Sequence, residues 1–392
     1  MFSTRRITTM GGDVFRDEYS LAFDGSDTYI NIGNPAALQL GVADITFSFW
    51  AKQSSGDAGY LISKRDTGGG GFSVYVESDG QHGFYNGTSS IAGANFGNPW
   101  SYGVWNHLVM VYDHSGGSVT KYLNGKLDAQ NTSLGTASNT DDDQAWRING
   151  RFTAGDAMSG NSDITQNLNI SEVVIYNKSL SSSEVATIYN GREPYNHKEG
   201  ICSSNLKAWW RMGDGDSDTY PLINDQTNQT FGADIVEAHT TDLGSFDTDT
   251  TASWSVQNED SWSYNAGTGD ATYVADGTGG GNAIYKGGLL TIAQAYKLTF
   301  KMKSSNVTTA PKIYYGIVDS YISPSDGKTL STSYQTFTHY FVAAHVSLYI
   351  ANGVGMDSGK DFTVDDIVVV PANGNAGIMT NMAVADIVGD TP

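Results

Sequence analysis

The chain has few of the residues that would cross-link it or bind polyanions. Its single cysteine, Cys202, excludes an internal disulfide framework, so stability has to come from packed cores, bound ions or association with other chains. It has 22 Lys and Arg against 42 Asp and Glu, a net charge of −20. Because phosphate binding needs clustered Lys and Arg, this balance argues against nucleic acid as a partner.

Long hydrophobic runs are also missing. No stretch approaches the length of a membrane span, so we expect no membrane insertion. The N-terminal segment, MFSTRRITTMGGDVFRDEY, has two arginines but no apolar stretch behind them, so we expect no secretory signal. The sequence therefore predicts a soluble protein that reaches any extracellular place by another route or with a segment removed.

Proline is scarce, with eight residues, whereas there are 46 glycines, 22 tyrosines and eight tryptophans. This composition is typical of an all-β protein with many tight turns. A length of 392 residues is more than one compact domain usually needs, so we expect two domains.

Local patterns support strands in both halves of the chain. The segment ITFSFWAK alternates apolar and polar residues from Ile45, and TKYLNGKLD places Asn124 and Gly125 where a type I′ hairpin turn demands positive φ. Further along, YKLTFKMKS predicts a strand with Tyr296, Leu298, Phe300 and Met302 on one face.

One helix is predicted, in SLSSSEVATIYNG. Ser181 and Glu184 have the capping-box spacing, and Val185 and Ile188 begin an apolar stripe. Gly191 can end the helix. We expect the helix to cover one edge of the preceding sheet.

Five motifs give the first half a family likeness. YSLAFDGSDTYINIG, ITFSFWAK, WNHLVMVYD, KYLNGK and ISEVVIYNKSLSSSEVATIYNG occur in the order found in concanavalin A-like lectin/glucanase domains of the laminin-G-like type. Roughly residues 20–192 resemble that family, which implies a jelly roll of two antiparallel sheets.

The second half resembles carbohydrate-binding modules built as β-sandwiches. Its segments GSFDTDTTASW and FTVDDIVVV stand where those modules have an F-E…W opening and a DD-I strand, with Asp247 in place of the usual glutamate. Together the two resemblances imply an all-β chain of two jelly-roll or β-sandwich domains in tandem, with one short helix closing the first. The predicted divisions are an N-terminal attachment arm (1–19), the jelly roll (20–194), a connector (195–235), the second sandwich (236–371) and a tail (372–392).

The connector and the tail resemble a pair of motifs from structural proteins of tailed bacteriophages, particularly marine ones. The motifs here are LKAWWRMGDGDSDTYPLIND, which is residues 206–225, and GNAGIMTNMAVADIVGDTP near the C-terminus. In those proteins the two motifs lie close together in sequence, so we infer that the second sandwich interrupts a small unit and that both segments lie together in space. The resemblance implies a virion-surface protein that is made in the host cytoplasm and contacts other virion proteins through its arm.

The acidic stretch after the two tryptophans has the spacing of a calcium loop. Asp214, Asp216, Asp218 and Asp225 match positions 1, 3, 5 and 12 of an EF-hand loop. Thr219 stands where that loop needs glycine, and no helix precedes it, so a solvated acidic turn is the competing interpretation.

No cofactor is required by the sequence, but the family likeness implies structural calcium. It places ligands near Asp24 and Asp27 in the first domain, and at Asp247 with Asp366 in the second, where the ends of sheets bring separate carboxylates together. Ser171 stands where many relatives have aspartate, which weakens the first site.

Catalysis is not expected. Glycoside hydrolysis needs two carboxylates about 5–10 Å apart. A laminarinase-type jelly roll would carry them as E-x-D-x-x-E, and the nearest match, ESDGQH from Glu77, lacks the second glutamate.

Glycan binding asks only for exposed aromatic rings flanked by polar side chains. Two loop-like segments supply candidates, and burial in the core is the competing interpretation for each ring. The candidates are Trp100, Tyr102, Trp254, Trp262 and Tyr264.

Three functions remain open at this point. The first is a phage virion-surface protein, such as a head decoration or a fibre, that binds cell-surface or environmental glycans. We expect it to be a homo-oligomer such as a trimer, because weak sites gain from multivalency. The second is a catalytic or non-catalytic subunit of a marine bacterial polysaccharide-degrading system. The third is a purely structural capsid cement protein.

Overall fold

The computed structural model describes residues 15–65, 71–91, 96–136, 144–151, 167–215, 218–227, 230–277, 282–306, 311–314, 330–352 and 357–392. In these residues the chain forms four antiparallel sheets with short helices between them, which confirms the predicted all-β class. No helix in the described ranges has the length and apolar character needed to cross a membrane.

The first sheet has the strand order β10-β9-β8-β3-β12-β1-β26, with β13 also paired to β12. Its strands are β1 (Ser20–Phe23), β3 (Ile45–Gln53), β8 (Asn106–Asp113), β9 (Ser118–Leu123), β10 (Lys126–Asn131), β12 (Leu168–Tyr176), β13 (Leu206–Trp210) and β26 (Ile387–Val388). The predicted hairpin joins β9 to β10, with positive φ at both Asn124 and Gly125.

The second sheet has the order β14-β25-β2-β11-β4-β5-β6-β7. Its strands are β2 (Tyr29–Gly33), β4 (Gly59–Ser63), β5 (Ser73–Val76), β6 (His82–Tyr85), β7 (Ser90–Ile91), β11 (Trp146–Ile148), β14 (Leu222–Ile223) and β25 (Gly377–Thr380). The two sheets enclose one apolar core, to which Phe47, Trp146 and Trp210 contribute large buried side chains.

Helix α1 (Ser182–Tyr189) begins as predicted, with a complete capping box between Ser181 and Glu184. The helix contacts the edge strand β10, as expected, and it also extends over the face of the sheet. Val185 and Ile188 pack in a cluster with Val109 and Val174, which point away from the main core of the first sheet. The helix therefore covers the outer face of that sheet, because this face carries an apolar stripe that needs burial.

The two segments with the phage-like motifs both belong to the first sandwich. β13 pairs with β12 in the first sheet, and β26 pairs with β1. In the second sheet, Leu222 of β14 lies opposite Ile378 of β25, and β25 also pairs with β2. The chain thus leaves the first sandwich after residue 227 and returns to it near residue 375, while the exact domain boundaries stay a prediction.

Two adjacent tryptophans of β13 pack in the first sandwich, and one of them contacts the segment with which the chain returns there. Trp209 and Trp210 point to opposite faces of β13, as expected for neighbours on a strand, and both are buried. Trp210 enters the core between the sheets and donates its Nε1 proton to the Asn375 carbonyl oxygen at 2.6 Å. Trp209 packs in the cluster under α1.

The intervening residues build the second sandwich from two further sheets. One has the order β17-β18-β24-β20-β22 with β15 beside β24, and the other has the order β16-β19-β23-β21. Its elements are β15 (Thr230–Phe231), α2 (Ile235–His239), β16 (Ser255–Gln257), β17 (Glu259–Asn265), β18 (Asp270–Ala275), β19 (Asn282–Lys286), β20 (Ala295–Lys303), β21 (Pro311–Tyr314), β22 (Gln335–Val342), β23 (Leu348–Asn352) and β24 (Asp361–Asn373).

The predicted alternation of β20 is present in the structure. Tyr296, Leu298, Phe300 and Met302 are buried, and the residues between them are only half-buried. They pack against Ile284 and Ile350 from the facing sheet, which closes a second core. Register is well specified here because a slip by one residue would expose this whole row.

The two sandwiches touch through small residues. The Asn34 amide donates to the Ala293 carbonyl oxygen at 3.0 Å, and a side chain on Gly33 would put its Cβ 2.1 Å from that oxygen. Leu222 and Ile378 of the second sheet pack in one apolar cluster with Val342 of the second sandwich. The outer face of the second sheet is therefore covered by the second sandwich at its β14–β25 end.

Candidate functional site

Away from that end, the outer face of the second sheet carries polar and aromatic side chains. Strand register places Asn31, Arg147, Ser63, Ser73 and Tyr85 opposite one another across β2, β11, β4, β5 and β6. Successive side chains along a strand point to opposite faces of the sheet, so the row formed by the adjacent residues points into the core. That inner row is Ile30, Ile148, Ile62, Val74 and Phe84.

Beside this polar row lies a pair of tyrosines. Tyr60 is opposite Tyr75, and their ring centroids are 5.5 Å apart. The next residue across the sheet is Gly83, where a Cβ would lie 2.1 Å from Tyr75 Cζ. Glycine is required at this position because the Tyr75 ring lies directly over the backbone of β6. Both tyrosines are half-buried, so part of each ring remains accessible.

Arginines lie over tyrosine rings on the same face. The Arg65 guanidinium carbon is 3.7 Å from the Tyr85 ring centroid, and that of Arg151 is 4.9 Å from the Tyr60 centroid. Such cation–π contacts fix the plane of the guanidinium group. We call the set Tyr60, Arg65, Tyr75, Tyr85 and Arg151 the tyrosine-arginine face.

Two hydroxyl groups under this face have no partner. Ser63 and Ser73 are 1% and 0% exposed, and neither Oγ makes a hydrogen bond in the described structure. A buried polar atom without a partner costs free energy, so such atoms are concentrated where a ligand or water completes the bonding. Burial, followed by the charge of Glu77, raises the pKa of Tyr75 to about 12, so this phenol stays protonated and can donate a hydrogen bond.

The structure buries two of the five aromatic rings predicted to bind glycans. Trp100 is 3% exposed, lies in the first core and donates from Nε1 to Gln53 Oε1 at 3.2 Å. Trp254 is 4% exposed and donates to the Leu243 carbonyl oxygen. The expectation that these two rings are exposed is wrong, because each indole fills a core and satisfies its N–H there.

The other three predicted rings are more accessible. Tyr102 is 38% exposed. Trp262 and Tyr264 are half-buried on β17, and they donate to the carbonyl oxygens of Thr251 and Asp247. A role for these three in glycan binding stays a prediction.

The acidic residues after β13 accept hydrogen bonds from backbone amides. Asp214 Oδ2 accepts bonds from the amides of Glu18 and Tyr19, both at 2.7 Å. Asp218 accepts from three loop amides, those of residues 213, 215 and 224. Burial raises the pKa of Asp218 to about 6 against the opposing effect of these bonds.

Asp225 also has its carboxylate oxygens occupied by hydrogen bonds. Its carboxylate accepts from the Trp209 amide at 2.8 Å, from the amide and hydroxyl of Thr227, and from Asn375 Nδ2 at 2.7 Å. These donors occupy the oxygens that a calcium loop would turn toward the ion. Asp216 lies outside the described residues.

The remaining calcium candidates are also engaged locally. Asp24 Oδ1 accepts from the Ser26 amide and the Thr28 hydroxyl, and Asp366 forms an ion pair with Lys301. Asp27 and Asp247 have described contacts through their backbone oxygens. Within the described ranges no three His, Cys, Asp or Glu side chains come together as metal ligands. Calcium therefore stays a prediction.

A buried acid cluster lies on the outer side of β12, where sequence analysis proposed no site. Asp17 receives hydrogen bonds from Ser171 Oγ at 3.2 Å, and Glu172 accepts from Trp209 Nε1 and from Arg211 Nε at 3.1 Å. Burial, then the charge of Glu172, raises the pKa of Asp17 to about 9. Burial also raises the pKa of Glu172 to about 7, although Arg211 opposes it.

This cluster does not form a substrate cleft. The cavity bordered by Asp17, Glu172, Trp50 and His197 has a volume of about 10 Å³. That is room for about one water molecule, so a sugar ring cannot enter between the two carboxyl groups.

Instead, the cluster attaches the segment before β1 to the sheet. Arg211 donates to the Arg16 carbonyl oxygen, and its guanidinium carbon is 4.3 Å from the Phe15 ring centroid. Together with the Asp214 bonds to Glu18 and Tyr19, these contacts fix residues 15–19 of the predicted arm. Residues 1–14 lie outside the described part.

Substitution Asp17→Asn should change how stability depends on pH. Because folding raises the pKa of Asp17 from 3.8 to about 9, its contribution is complete below pH 4 and is lost as the pH rises toward 9. Asparagine mimics the protonated acid, so the variant should gain thermal stability relative to the wild type between about pH 6 and pH 9. Parallel melting-temperature curves for the two proteins would contradict the assignment.

The fold and its outer face can now be compared with known proteins. Residues 24–186 match a family model described as the concanavalin A-like lectin/glucanases superfamily. No curated protein matches the chain.

Several solved structures resemble the chain at low identity. A pentraxin from Limulus polyphemus is 18% identical over 45% of this chain and 83% of its own, with a TM-score of 0.36. A putative carbohydrate-binding protein from Bacteroides ovatus is 14% identical over 54% of this chain and 56% of its own, with a TM-score of 0.38. A sialidase carbohydrate-binding module from Ruminococcus gnavus, bound to sialyllactose, is 14% identical over 43% and 98%, with a TM-score of 0.32. TM-scores this low carry no conclusion about ligands.

Sequence analysis missed the tyrosine-arginine face, although a signal was present. In SVYV, Tyr75 alternates with the buried residues Val74 and Val76. An aromatic residue on the polar side of a two-sided strand is a candidate contact residue.

Proposed function

We propose that the chain is a glycan-binding protein whose first sandwich binds sugar at the tyrosine-arginine face. The observation that carries the proposal is the half-buried tyrosine pair, Tyr60 and Tyr75, whose ring centroids are 5.5 Å apart on the outer face. Partly exposed rings suit the C–H faces of pyranoses. The match of residues 24–186 to a superfamily that includes lectins supports this reading.

The proposal is for binding without catalysis. On the described face, the side chains that would touch sugar are phenols, guanidinium groups and hydroxyls, and hydrolysis needs paired carboxyl groups. The carboxyl pair that folding does bring together, Asp17 and Glu172, borders a cavity that holds about one water. Release of reducing sugar from laminarin by the purified protein would support the alternative of a polysaccharide-degrading enzyme.

The finer proposal is a virion-surface role in host attachment. Its support is the likeness of two sequence segments to motifs of tailed-phage structural proteins, and these segments pair as β14 and β25. The fixed segment 15–19 would then lead from the sandwich into an arm that contacts other virion proteins, and a homo-oligomer would add avidity. Labelling of virions with an antibody against the chain tests this role, and a cement protein would show the label but bind no glycan.

Substitution of Tyr60 or Tyr75 by alanine should weaken polysaccharide binding at least about tenfold, because central aromatic contacts carry most of the free energy at such sites. The measurement is isothermal titration against a panel of neutral and acidic polysaccharides. Tyr285→Ala is the matched control, since Tyr285 stacks on Tyr349 at 4.7 Å in the second sandwich. Loss of binding in Tyr285→Ala alone would assign the site to the second sandwich instead.

A further inference from the structure

The charge of the tyrosine-arginine face opposes the charge of the chain. The protein has a net charge of −20, yet Arg65 and Arg151 both lie over tyrosine rings on one face of the second sheet. Arginine binds planar oxyanions through paired N–H donors. Their clustering on the outer face requires a reason beyond solubility, which the acidic surface already provides.

Arg65 follows strand β4 and is half-buried. Its guanidinium group lies 3.7 Å from the centre of the Tyr85 ring, which holds the plane of the group. The buried Nε makes no hydrogen bond, and among the described residues no carboxylate forms an ion pair with Arg65. Arg65 is thus a fixed donor whose Nε–H has no acceptor.

Two hydroxyls underlie the same cross-strand row. Ser63 Oγ and Ser73 Oγ are buried without partners, and Ser73 is directly opposite Tyr85, the ring under Arg65. Both hydroxyls are closed to a ligand, so an oxyanion at this place would be held by the half-buried guanidinium group of Arg65.

We propose that the tyrosine-arginine face selects glycans that carry oxyanion substituents, either sulfate esters or uronic carboxylates, and that Arg65 determines this specificity. This inference rests on the proposed function of the face. Sugar rings pack on Tyr60 and Tyr75, while the oxyanion is held by Arg65 beside Tyr85. Neutral glycans lose the ionic contact and bind more weakly.

The experiment compares four polysaccharides by isothermal titration with the full chain: a sulfated galactan, the same galactan after chemical desulfation, polygalacturonate, and neutral laminarin. We expect the sulfated or the uronic polymer to bind at least about tenfold more tightly than the neutral polymers, and added salt to weaken that binding. The sulfated and uronic samples distinguish the two sources of the oxyanion.

The variants Arg65→Gln and Arg65→Lys give the sharper test. Arg65→Gln should remove the preference for the acidic polymer, so that acidic and neutral polymers bind with similar affinity, and Arg65→Lys should restore only part of the preference because lysine lacks the paired donors. Reactivity of the buried Cys202 thiol reports whether each variant is folded.

The possible failures are distinguishable. Equal binding of the sulfated and desulfated galactans, unchanged in Arg65→Gln, would overturn the oxyanion inference while Tyr60→Ala still weakened binding. Absence of binding to all four polymers would overturn the proposed function itself and the inference with it.

Discussion

Deleting residues 374–392 is expected to unfold the first sandwich and to leave the second one folded. The deletion removes β25, which hydrogen-bonds to both β14 and β2, and β26, which covers β1. It also removes Met379 and Met382 from the first core, whose burial contributes about 3–6 kcal/mol. A typical domain has a total stability of about 5–15 kcal/mol, so this loss alone is a large share of it.

Polar contacts of the tail add to the loss. Asp390 accepts bonds from Lys52 at 2.7 Å and from Trp105 Nε1 at 3.1 Å on the first sheet. The chain's single cysteine makes the measurement specific, because Cys202 is buried in the first sandwich and is the only thiol available to a labelling reagent.

In the truncated protein Cys202 should label rapidly, while the amides of β20 in the second sandwich keep their protection from hydrogen exchange. Val384→Ala is the control, since Val384 lies in the tail but is 65% exposed and should leave the labelling rate unchanged. Slow labelling of Cys202 after truncation would show that the first sandwich does not depend on the tail.

Substitution Trp210→Ala should cost about 3–5 kcal/mol of the free energy of unfolding, because the side chain is fully buried between the sheets. The cost has two parts that can be separated. Trp210→Phe keeps a ring in the core but leaves the Asn375 carbonyl oxygen without its donor, so we expect it to cost about 1–3 kcal/mol.

Urea unfolding, followed by Cys202 labelling, measures both variants on the first sandwich. The predicted order is wild type, then Trp210→Phe, then Trp210→Ala. Equal costs for the two variants would mean that packing of the indole contributes nothing beyond the hydrogen bond, which the buried position does not allow.

The sequence was sufficient where one strand or one helix determines its own environment. Alternation along β20 identified its buried face correctly, and the capping residues of α1 located the start of that helix. The likeness to phage motifs suggested that residues 206–225 lie near the tail. The strand and helix assignments depend on local periodicity or on chemistry between near neighbours, whereas the proximity of the two distant segments was inferred from the family likeness.

Features that depend on several strands were not accessible in the same way. The tyrosine-arginine face exists because β4, β5 and β6 align in one register, and a bulge in β4 between Tyr60 and Ile62 keeps Tyr60 and Ser63 on the same side. Asp214, Asp218 and Asp225 have the spacing of calcium ligands, but distant and local N–H donors occupy them. Trp100 follows a loop-like segment, yet tertiary packing buries it.

Hydrogen exchange of the full chain with and without a bound acidic polysaccharide tests the central claim most directly. The account predicts that ligand slows exchange in β4, β5 and β6 around Tyr60, Tyr75 and Tyr85, with no change in β17 or β19 of the second sandwich. Protection that is confined to the second sandwich, or to the loop carrying Tyr102, would contradict the assignment of glycan binding to the outer face of the second sheet.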